Sequence, residues 1–166
     1  MTPSYIEDHI SQLPALQMLI KMGYTYISPE EALQLREGRK TNVLLRDILK
    51  SQLQKINKIE YKGQTHDFSD TNVELAINEL KELPMHLGFI NANQHFYDLI
   101  TLGKSFEQTI AGDRKSFSFK YIDWEHPENN TFHVSEEFAV TRSHRSDTYR
   151  PDIVLFINGI PMVVIE

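Results

Sequence analysis

The last seventeen residues, RPDIVLFINGIPMVVIE, constrain the fold more than any other stretch of the sequence. Two apolar runs, residues 153–157 and 160–165, flank Asn158-Gly159, and short β-rich runs on either side of Asn-Gly indicate a β-hairpin. Both arms are almost wholly apolar instead of alternating with polar residues. Such arms are typical of strands that are covered on both faces. The sequence therefore predicts a hairpin placed centrally in a sheet.

Two carboxylates mark the open end of this hairpin, because Asp152 precedes the first arm and Glu166 ends the second. With a two-residue turn, Glu166 would face Pro151 and the two acids would lie on opposite faces of the ribbon. We therefore predict a three-residue loop with Gly159 in the left-handed conformation, or a bulge or bend near Asp152. Acids that meet in this way form an oxygen site of the kind that binds Mg2+. The alternative is that they only mark the strand ends.

The same stretch resembles the nuclease core of the restriction (R) subunit of type I restriction-modification enzymes, a member of the PD-(D/E)xK nuclease superfamily. Pro151-Asp152 matches the PD element, and Glu166 matches the acid that opens the ExK element. The segments YDLITLGKSFEQTI (97–110) and FHVSEEFAV (132–140) also resemble the amino-terminal region of that subunit. The resemblance implies an α/β fold of the restriction-endonuclease type, with amino-terminal helices around a mixed sheet.

The resemblance also implies a function and its site residues. The complete protein would cleave double-stranded DNA after ATP-driven translocation, in complex with modification and specificity subunits. Asp152 and Glu166 would be the catalytic acids and would hold Mg2+. In many enzymes of the superfamily a glutamate of the first helix joins the metal site, which makes Glu7 a candidate third ligand. Because Ser4 and Glu7 form an S-x-x-E capping box, a helix cap is the alternative role of Glu7.

The lysine of the ExK element would fall two positions after Glu166, beyond the last residue of the sequence. We therefore expect an amino-terminal fragment of a several-fold longer protein that supplies only the acids and has negligible nuclease activity by itself. The translocase domains of the family would also lie beyond residue 166. Gly103-Lys104-Ser105 does not indicate an ATP site, because a P-loop requires a glycine where the chain has Asp98.

The segment TRSHRSDTYR (141–150) is the most basic loop of the chain. Arginines contact nucleic-acid phosphates readily, and these residues immediately precede the PD element. We therefore predict that Arg142, Arg145 and Arg150 bind DNA. A flexible, solvated loop is the alternative interpretation.

Composition limits the other possibilities. A chain of 166 residues that is 40% hydrophobic can bury one sizeable core, so we predict a single domain with a helical part at about residues 1–102 and a β-rich part at about 103–166. The net charge of -6 argues against a broad basic DNA-binding face, so another domain or subunit would deliver DNA. The absence of cysteine excludes disulfides and thiolate zinc sites.

Neither the amino terminus, MTPSYIEDHI, nor any apolar run has the features of a signal peptide or a membrane span, so a cytoplasmic location is expected. The alternative function is that of a non-catalytic docking module for assembly with the modification and specificity subunits. A nuclease of another family on the same superfamily core is a third possibility.

Local patterns predict the secondary structure along the chain. Helices are expected at 14–23, 29–38, 41–58 and 69–83, a helix or a strand at 93–101, and strands at 116–121 and 132–140. In the last of these strands Phe132, Val134, Phe138 and Val140 would share one face. Glu136 and Glu137 would either contribute a third acid or occupy exposed strand positions.

Overall fold

The structure is a computed structural model that describes residues 12–141 and 147–166. The chain divides into two compact units, one formed by Met1–Arg46 with Thr131–Glu166 and the other by Asp47–Asn130. Helices and strands are interspersed, and the larger sheet is mixed. The predicted α/β class with a mixed sheet is therefore confirmed, whereas the PD-(D/E)xK core stays a prediction.

Five α-helices and ten strands occur within residues 12–141 and 147–166. In chain order they are α1 (Leu13–Lys21), β1 (Thr25–Ile27), α2 (Pro29–Leu35), α3 (Arg46–Ile56), β2 (Lys58–Tyr61), β3 (Gln64–Asp67), α4 (Asp70–Lys81), α5 (Phe89–Leu102), β4 (Lys104–Ile110), β5 (Asp113–Phe119), β6 (Phe132–Glu136), β7 (Val140–Thr141), β8 (Thr148–Tyr149), β9 (Ile153–Ile157) and β10 (Ile160–Ile165). Single turns of 3-10 helix lie at Met85–Leu87 and Pro127–Asn129. None of the helices in the described part of the chain is long and apolar enough to cross a membrane.

The first unit is built on a four-stranded sheet with the order β1-β6-β9-β10. Strand β1 pairs in parallel with β6, and β9 pairs antiparallel with both β6 and β10. Helix α1 covers one face, where Leu16 packs with Val134, Ile153 and Leu155. Within the described ranges β10 has only one neighbouring strand, and Val163, Val164 and Ile165 are exposed. The prediction that both hairpin arms are central and covered therefore holds for β9 and is wrong for β10.

Helices α2 and α4 begin at serine caps. Ser28 and Ser69 accept hydrogen bonds from the backbone N–H groups of Glu31 and Asn72, and each begins a helix as an N-cap does. Helix α3, by contrast, begins at Arg46 and not at residue 41. The N–H of Leu45 donates to the carbonyl of Gly159 at 2.9 Å, which ties the segment before α3 to the turn of the hairpin.

The predicted strand over residues 132–140 is interrupted. Glu137 has a positive φ of 48°, so β6 ends at Glu136 and Phe138 does not continue its alternation. The ring of Phe138 packs edge-on against Phe156 at 5.1 Å between centroids. The prediction that Phe138 and Val140 share a strand face with Phe132 is therefore wrong, because the left-handed residue breaks the period.

The second unit consists of two hairpins and three helices. Strands β2 and β3 form one hairpin, and β4 and β5 form the other. Phe119 is fully buried, and its ring lies 5.0 Å from Phe68, 5.3 Å from Phe106 and 5.9 Å from Tyr121 in edge-on contacts. Such pairs contribute beyond the area that they bury. Strand β4 was not predicted, and the ambiguous segment at 93–101 is helical as part of α5.

Candidate active site

The turn of the β9–β10 hairpin has two residues, because Ile157 pairs with Ile160. The predicted three-residue loop is therefore wrong. Asn158 and Gly159 have φ values of 53° and 82°, the left-handed conformations that a type I′ turn requires. Asn158 is buried, its N–H donates to the Thr131 carbonyl, and its Oδ1 accepts from the Thr131 N–H, both at 2.9 Å. These bonds hold the short turn against the start of β6.

A β-bulge in β10 changes the register beyond the turn. Pro161 pairs with Phe156, but Val163 pairs with Leu155, so Met162 is an extra residue without a partner across the ribbon. Proline has no N–H to give to a ladder, which makes Pro161-Met162 a favourable place for this irregularity. The pairs Val164 with Val154 and Ile165 with Ile153 follow.

The shifted register determines where the two acids lie. Continued by one residue beyond the last pair, it sets Glu166 opposite Asp152, whereas an unshifted two-residue hairpin would set Glu166 opposite Pro151. Asp152 itself lies in a bend directly before β9, as the alternative prediction has it, and the bulge lies farther along the ribbon. Residues directly opposite each other in antiparallel strands have Cβ atoms about 5 Å apart.

Contacts of the surrounding side chains agree with this placement. Val154 and Val164, which are in alternation with Asp152 and Glu166, line an apolar groove together with Tyr149. The hydroxyl of Tyr149 donates to Oε1 of Glu166, so Glu166 extends along the groove side of the ribbon. Both acids are exposed to solvent. The backbone carbonyl of Asp152 is fixed from two directions, by the side-chain amide of Gln12 at 2.9 Å and the N–H of Glu137 at 3.0 Å.

The acids next to this pair are engaged elsewhere. Glu136 accepts a hydrogen bond of 2.6 Å from the hydroxyl of Tyr26, and partial burial together with this carboxylate raises the pKa of Tyr26 to about 12. Glu137 forms an ion pair with Arg150. Within the part of the chain that the structure describes, no three His, Asp or Glu side chains are grouped closely enough to hold a metal ion. The donors at this edge are therefore the two carboxylates of Asp152 and Glu166.

This donor set fits one kind of metal ion. Mg2+ binds through one or two carboxylates and keeps several waters or phosphate oxygens, while a site closed by protein ligands needs more donors than these two. Asp152 and Glu166 would hold the ion, and the solvent-exposed edge leaves room for its other ligands.

The remaining predicted site residues are only partly described. Arg150 is exposed and lies directly before the PD dipeptide, where it pairs with Glu137. Glu7, Arg142 and Arg145 lie outside the described residues. Their predicted roles in metal and DNA binding stay predictions.

A cationic cleft of the same unit was not foreseen from the sequence. It has a volume of about 410 Å3, and Arg36, Lys40 and Arg150 are among its lining residues. Arg36 lies just after the last residue of α2 and is 2% exposed, with its guanidinium 3.8 Å from the centre of the Phe138 ring. It donates to three backbone carbonyls, and burial lowers the pKa of its guanidinium. A single arginine after a helix gives no sequence signal of such burial.

Comparison with known proteins identifies relatives over nearly the whole chain. Residues 4–166 match the family described as Type I restriction enzyme R protein N terminus. Over 164 residues the chain is 30% identical to a protein of Methanocaldococcus jannaschii that is provisionally named type I restriction enzyme MjaIXP endonuclease subunit. The aligned part covers 96% of this chain and 15% of that protein. The chain is 28% identical over 165 residues to the type I restriction enzyme HindI endonuclease subunit of Haemophilus influenzae, covering 96% of this chain and 14% of that protein.

The chain thus spans about one seventh of the length of these two relatives. The family match includes the whole β9–β10 hairpin and both of its acids. By this match the chain belongs to the family of type I restriction enzyme R protein amino-terminal regions.

Proposed function

We propose that this chain is the amino-terminal endonuclease region of an R subunit and that its site hydrolyses phosphodiester bonds of double-stranded DNA with Mg2+. The observation that carries the proposal is the register of the β9–β10 hairpin, which, continued by one residue beyond its last pair, sets Asp152 opposite Glu166. In the complete protein this hydrolysis is coupled to ATP-driven translocation, in a cytoplasmic complex with modification and specificity subunits.

Each residue of the site has a defined part in this proposal. When bound, Mg2+ supplies polarisation of the scissile phosphate and a water molecule of lowered pKa. Asp152 and Glu166 bind and orient the ion, and the Tyr149 hydroxyl restricts the Glu166 carboxylate. The bonds from Gln12 and Glu137 to the Asp152 carbonyl hold the start of β9. In the resembled family a lysine two positions after Glu166 completes the site, so the 166-residue chain by itself should have negligible activity.

The direct test is a pair of substitutions in the full-length subunit assembled with its partners. Asp152→Ala and Glu166→Gln should each lower Mg2+-dependent cleavage of duplex DNA by roughly 100-fold, because each removes one of the two carboxylates. Glu125→Gln, an exposed acid of the second unit, should leave cleavage unchanged. Full cleavage by Asp152→Ala, or robust Mg2+-dependent nicking by the isolated 166-residue chain, would contradict the proposed site.

A docking module is the second candidate, and exposed apolar side chains on α5 favour it. Phe89, Ile90 and Leu102 are 80%, 86% and 82% exposed, and large exposed apolar groups are typical of protein interfaces. Ile90→Ser separates the two functions. If the docking module is the function, Ile90→Ser prevents assembly with the modification and specificity subunits, while Asp152→Ala leaves cleavage by the assembled enzyme intact.

A further inference from the structure

Two residues that line the cationic cleft of the first unit, Arg150 and Glu137, connect it to the PD dipeptide. Its lining includes residues of α2 and of the following loop, together with Glu137, Ala139, Thr148 and Arg150. Arg150 immediately precedes Pro151-Asp152, and the N–H of Glu137 donates to the Asp152 carbonyl at 3.0 Å. The cleft wall and the candidate metal acid are therefore bonded directly to each other.

The charges of the cleft favour an anion. Three cations, Arg36, Lys40 and Arg150, line it together with two acids, Glu30 and Glu137. In the described part of the chain only Arg150 has a carboxylate partner among these cations, and that partner is Glu137. The cleft thus has an excess of positive charge in a chain whose net charge is -6.

Arg36 gives the cleft a fixed donor. Its Nε donates to the Ala32 carbonyl at 3.2 Å, and its Nη1 donates to the carbonyls of Asn42 and Ala139 at 3.3 and 2.9 Å. No acid is among these partners, so the guanidinium keeps its charge uncompensated while 98% of the residue is shielded from solvent. None of these bonds uses Nη2, whose two N–H groups suit a phosphate oxygen, and Lys40 adds a mobile point charge.

We propose that this cleft binds a phosphate group of the DNA backbone and so holds a DNA strand near the candidate metal acids. The identification of the ligand as DNA rests on the proposed function, whereas the phosphate chemistry rests on the cleft itself. Arg36 and Lys40 are the new contacts, and they line the same cleft as Arg150. Because the Arg150–Glu137 pair is exposed, its exchange for a phosphate partner costs little.

The test measures binding of a fluorescein-labelled duplex of about 20 base pairs by the 166-residue chain in EDTA, using anisotropy at increasing NaCl concentration. Each phosphate contact contributes about 0.9 to the slope of log affinity against log salt. Lys40→Gln and Arg150→Gln should each reduce the slope by about that amount and weaken binding at low salt by roughly three- to tenfold. The matched control, Lys55→Gln on the exposed face of α3, should leave the slope unchanged.

Arg36 requires a milder substitution, because its removal from a buried position would disturb the fold. Arg36→Lys keeps the charge and loses the planar donors, so it should weaken duplex binding while circular dichroism and thermal unfolding show a folded chain. If both Lys40→Gln and Arg150→Gln keep the salt slope of the wild-type chain, the cleft does not bind a DNA phosphate and the proposal is wrong. Absence of duplex binding by the wild-type chain at low salt would also contradict the proposal.

Two further experiments distinguish this proposal from the proposed function and from a site for free phosphate. Asp152→Ala should not weaken duplex binding in EDTA, because it removes an acid and no cation of the cleft, and it should lower cleavage by the full-length enzyme by roughly 100-fold. If the Asp152→Ala variant still cleaves DNA, the proposed function is wrong. The salt slopes of Lys40→Gln and Arg150→Gln then decide separately whether the cleft binds a DNA phosphate. Inorganic phosphate is then added at constant ionic strength. Displacement of the duplex only by high phosphate supports a DNA site, whereas tight phosphate binding that Lys40→Gln removes without changing duplex affinity overturns the DNA assignment.

Discussion

Strands β4 and β5 of the second unit and strands β9 and β10 of the first form hairpins with the same kind of turn and different registers. Ala111-Gly112 and Asn158-Gly159 both have positive φ at two successive residues, and both turns join directly paired strands. The β4–β5 ladder then runs without a shift from the turn to its open end. The β9–β10 ladder shifts at Met162. Two hairpins with the same kind of turn can therefore pair different residues at their open ends. One extra residue in a strand determines which residues lie opposite each other there.

The acids near these open ends differ as well. After β5 the chain reaches Asp123, whose buried carboxylate is bound by Asn129, Lys120 and the N–H of His126. At the open end of β9–β10, Asp152 and Glu166 are exposed, and Glu166 accepts from Tyr149. A carboxylate with several donors and little solvent holds a loop together, while exposed acids at the end of a hairpin remain available to an ion.

The largest expected effect comes from changing the register of β10 between the bulge and Glu166. One alanine inserted between Val164 and Ile165 moves Glu166 out of register with Asp152 and turns its side chain to the other face. Cleavage by the full-length assembled enzyme should fall by roughly 100-fold, as for loss of a metal ligand. The measurement is Mg2+-dependent cleavage of duplex DNA.

Deletion of Met162 is the matched control for this insertion. Met162 is the unpaired residue of the bulge, so its removal keeps Glu166 opposite Asp152 in a regular ladder. Most of the cleavage activity should survive, although thermal unfolding should show a small loss of stability. Equal loss of activity in both variants would show that register is not what makes the site, and the contrast between the two hairpins would lose its functional meaning.

The next largest effect concerns Gly103, the residue before strand β4 of the unshifted hairpin. Gly103 has φ of 73°, and a Cβ at this residue would lie 2.2 Å from the Phe119 carbonyl oxygen. Gly103→Ala should therefore lower the free energy of unfolding by about 2–3 kcal/mol, measured by urea denaturation. Gly112→Ala in the same hairpin has a similar φ of 85° and no atom within 4 Å of the added Cβ. It should cost only about 1 kcal/mol, and equal losses would refute the close contact as the cause.

Sequence reasoning located the hairpin and its acids but not the register that relates them. The apolar runs around Asn158-Gly159 identify both strands, and the left-handed glycine follows from the dipeptide. Turn length depends on the bonds from buried Asn158 to Thr131, a residue 27 positions away. The position of the bulge depends on the pairing of Pro161 with Phe156 of β9. Local patterns carry neither of these long-range contacts, so a compensating distortion was foreseen and its place was not.

The same limit explains the other differences. The pattern of Phe132, Val134, Phe138 and Val140 is periodic, yet Glu137 takes a left-handed conformation and bonds to the Asp152 carbonyl across the fold. Helix α3 starts late because Leu45 bonds to Gly159. In both places a backbone partner distant in sequence replaces the local hydrogen bond that the pattern predicts. Caps, by contrast, are local, and Ser28 and Ser69 cap α2 and α4, two helices that the local pattern predicts.

The smallest expected effect concerns Asp123 and depends on pH. The hydrogen bond from Asn129, with the pairing to Lys120, lowers the pKa of Asp123 to about 2. A carboxyl that binds protons less readily when folded stabilises the fold above its unfolded pKa of about 4, and this contribution is lost as the pH falls towards 2. Asp123→Asn should therefore lower the free energy of unfolding by about 1–2 kcal/mol at pH 7 and by much less near pH 2.5, in urea titrations at both pH values. Glu128→Gln, an exposed acid of the same loop, should cost little at either pH. A pH-independent loss for Asp123→Asn would mean that the side chain acts through its shape and not its charge, and the contrast with the exposed acids of the first unit would then rest on burial alone.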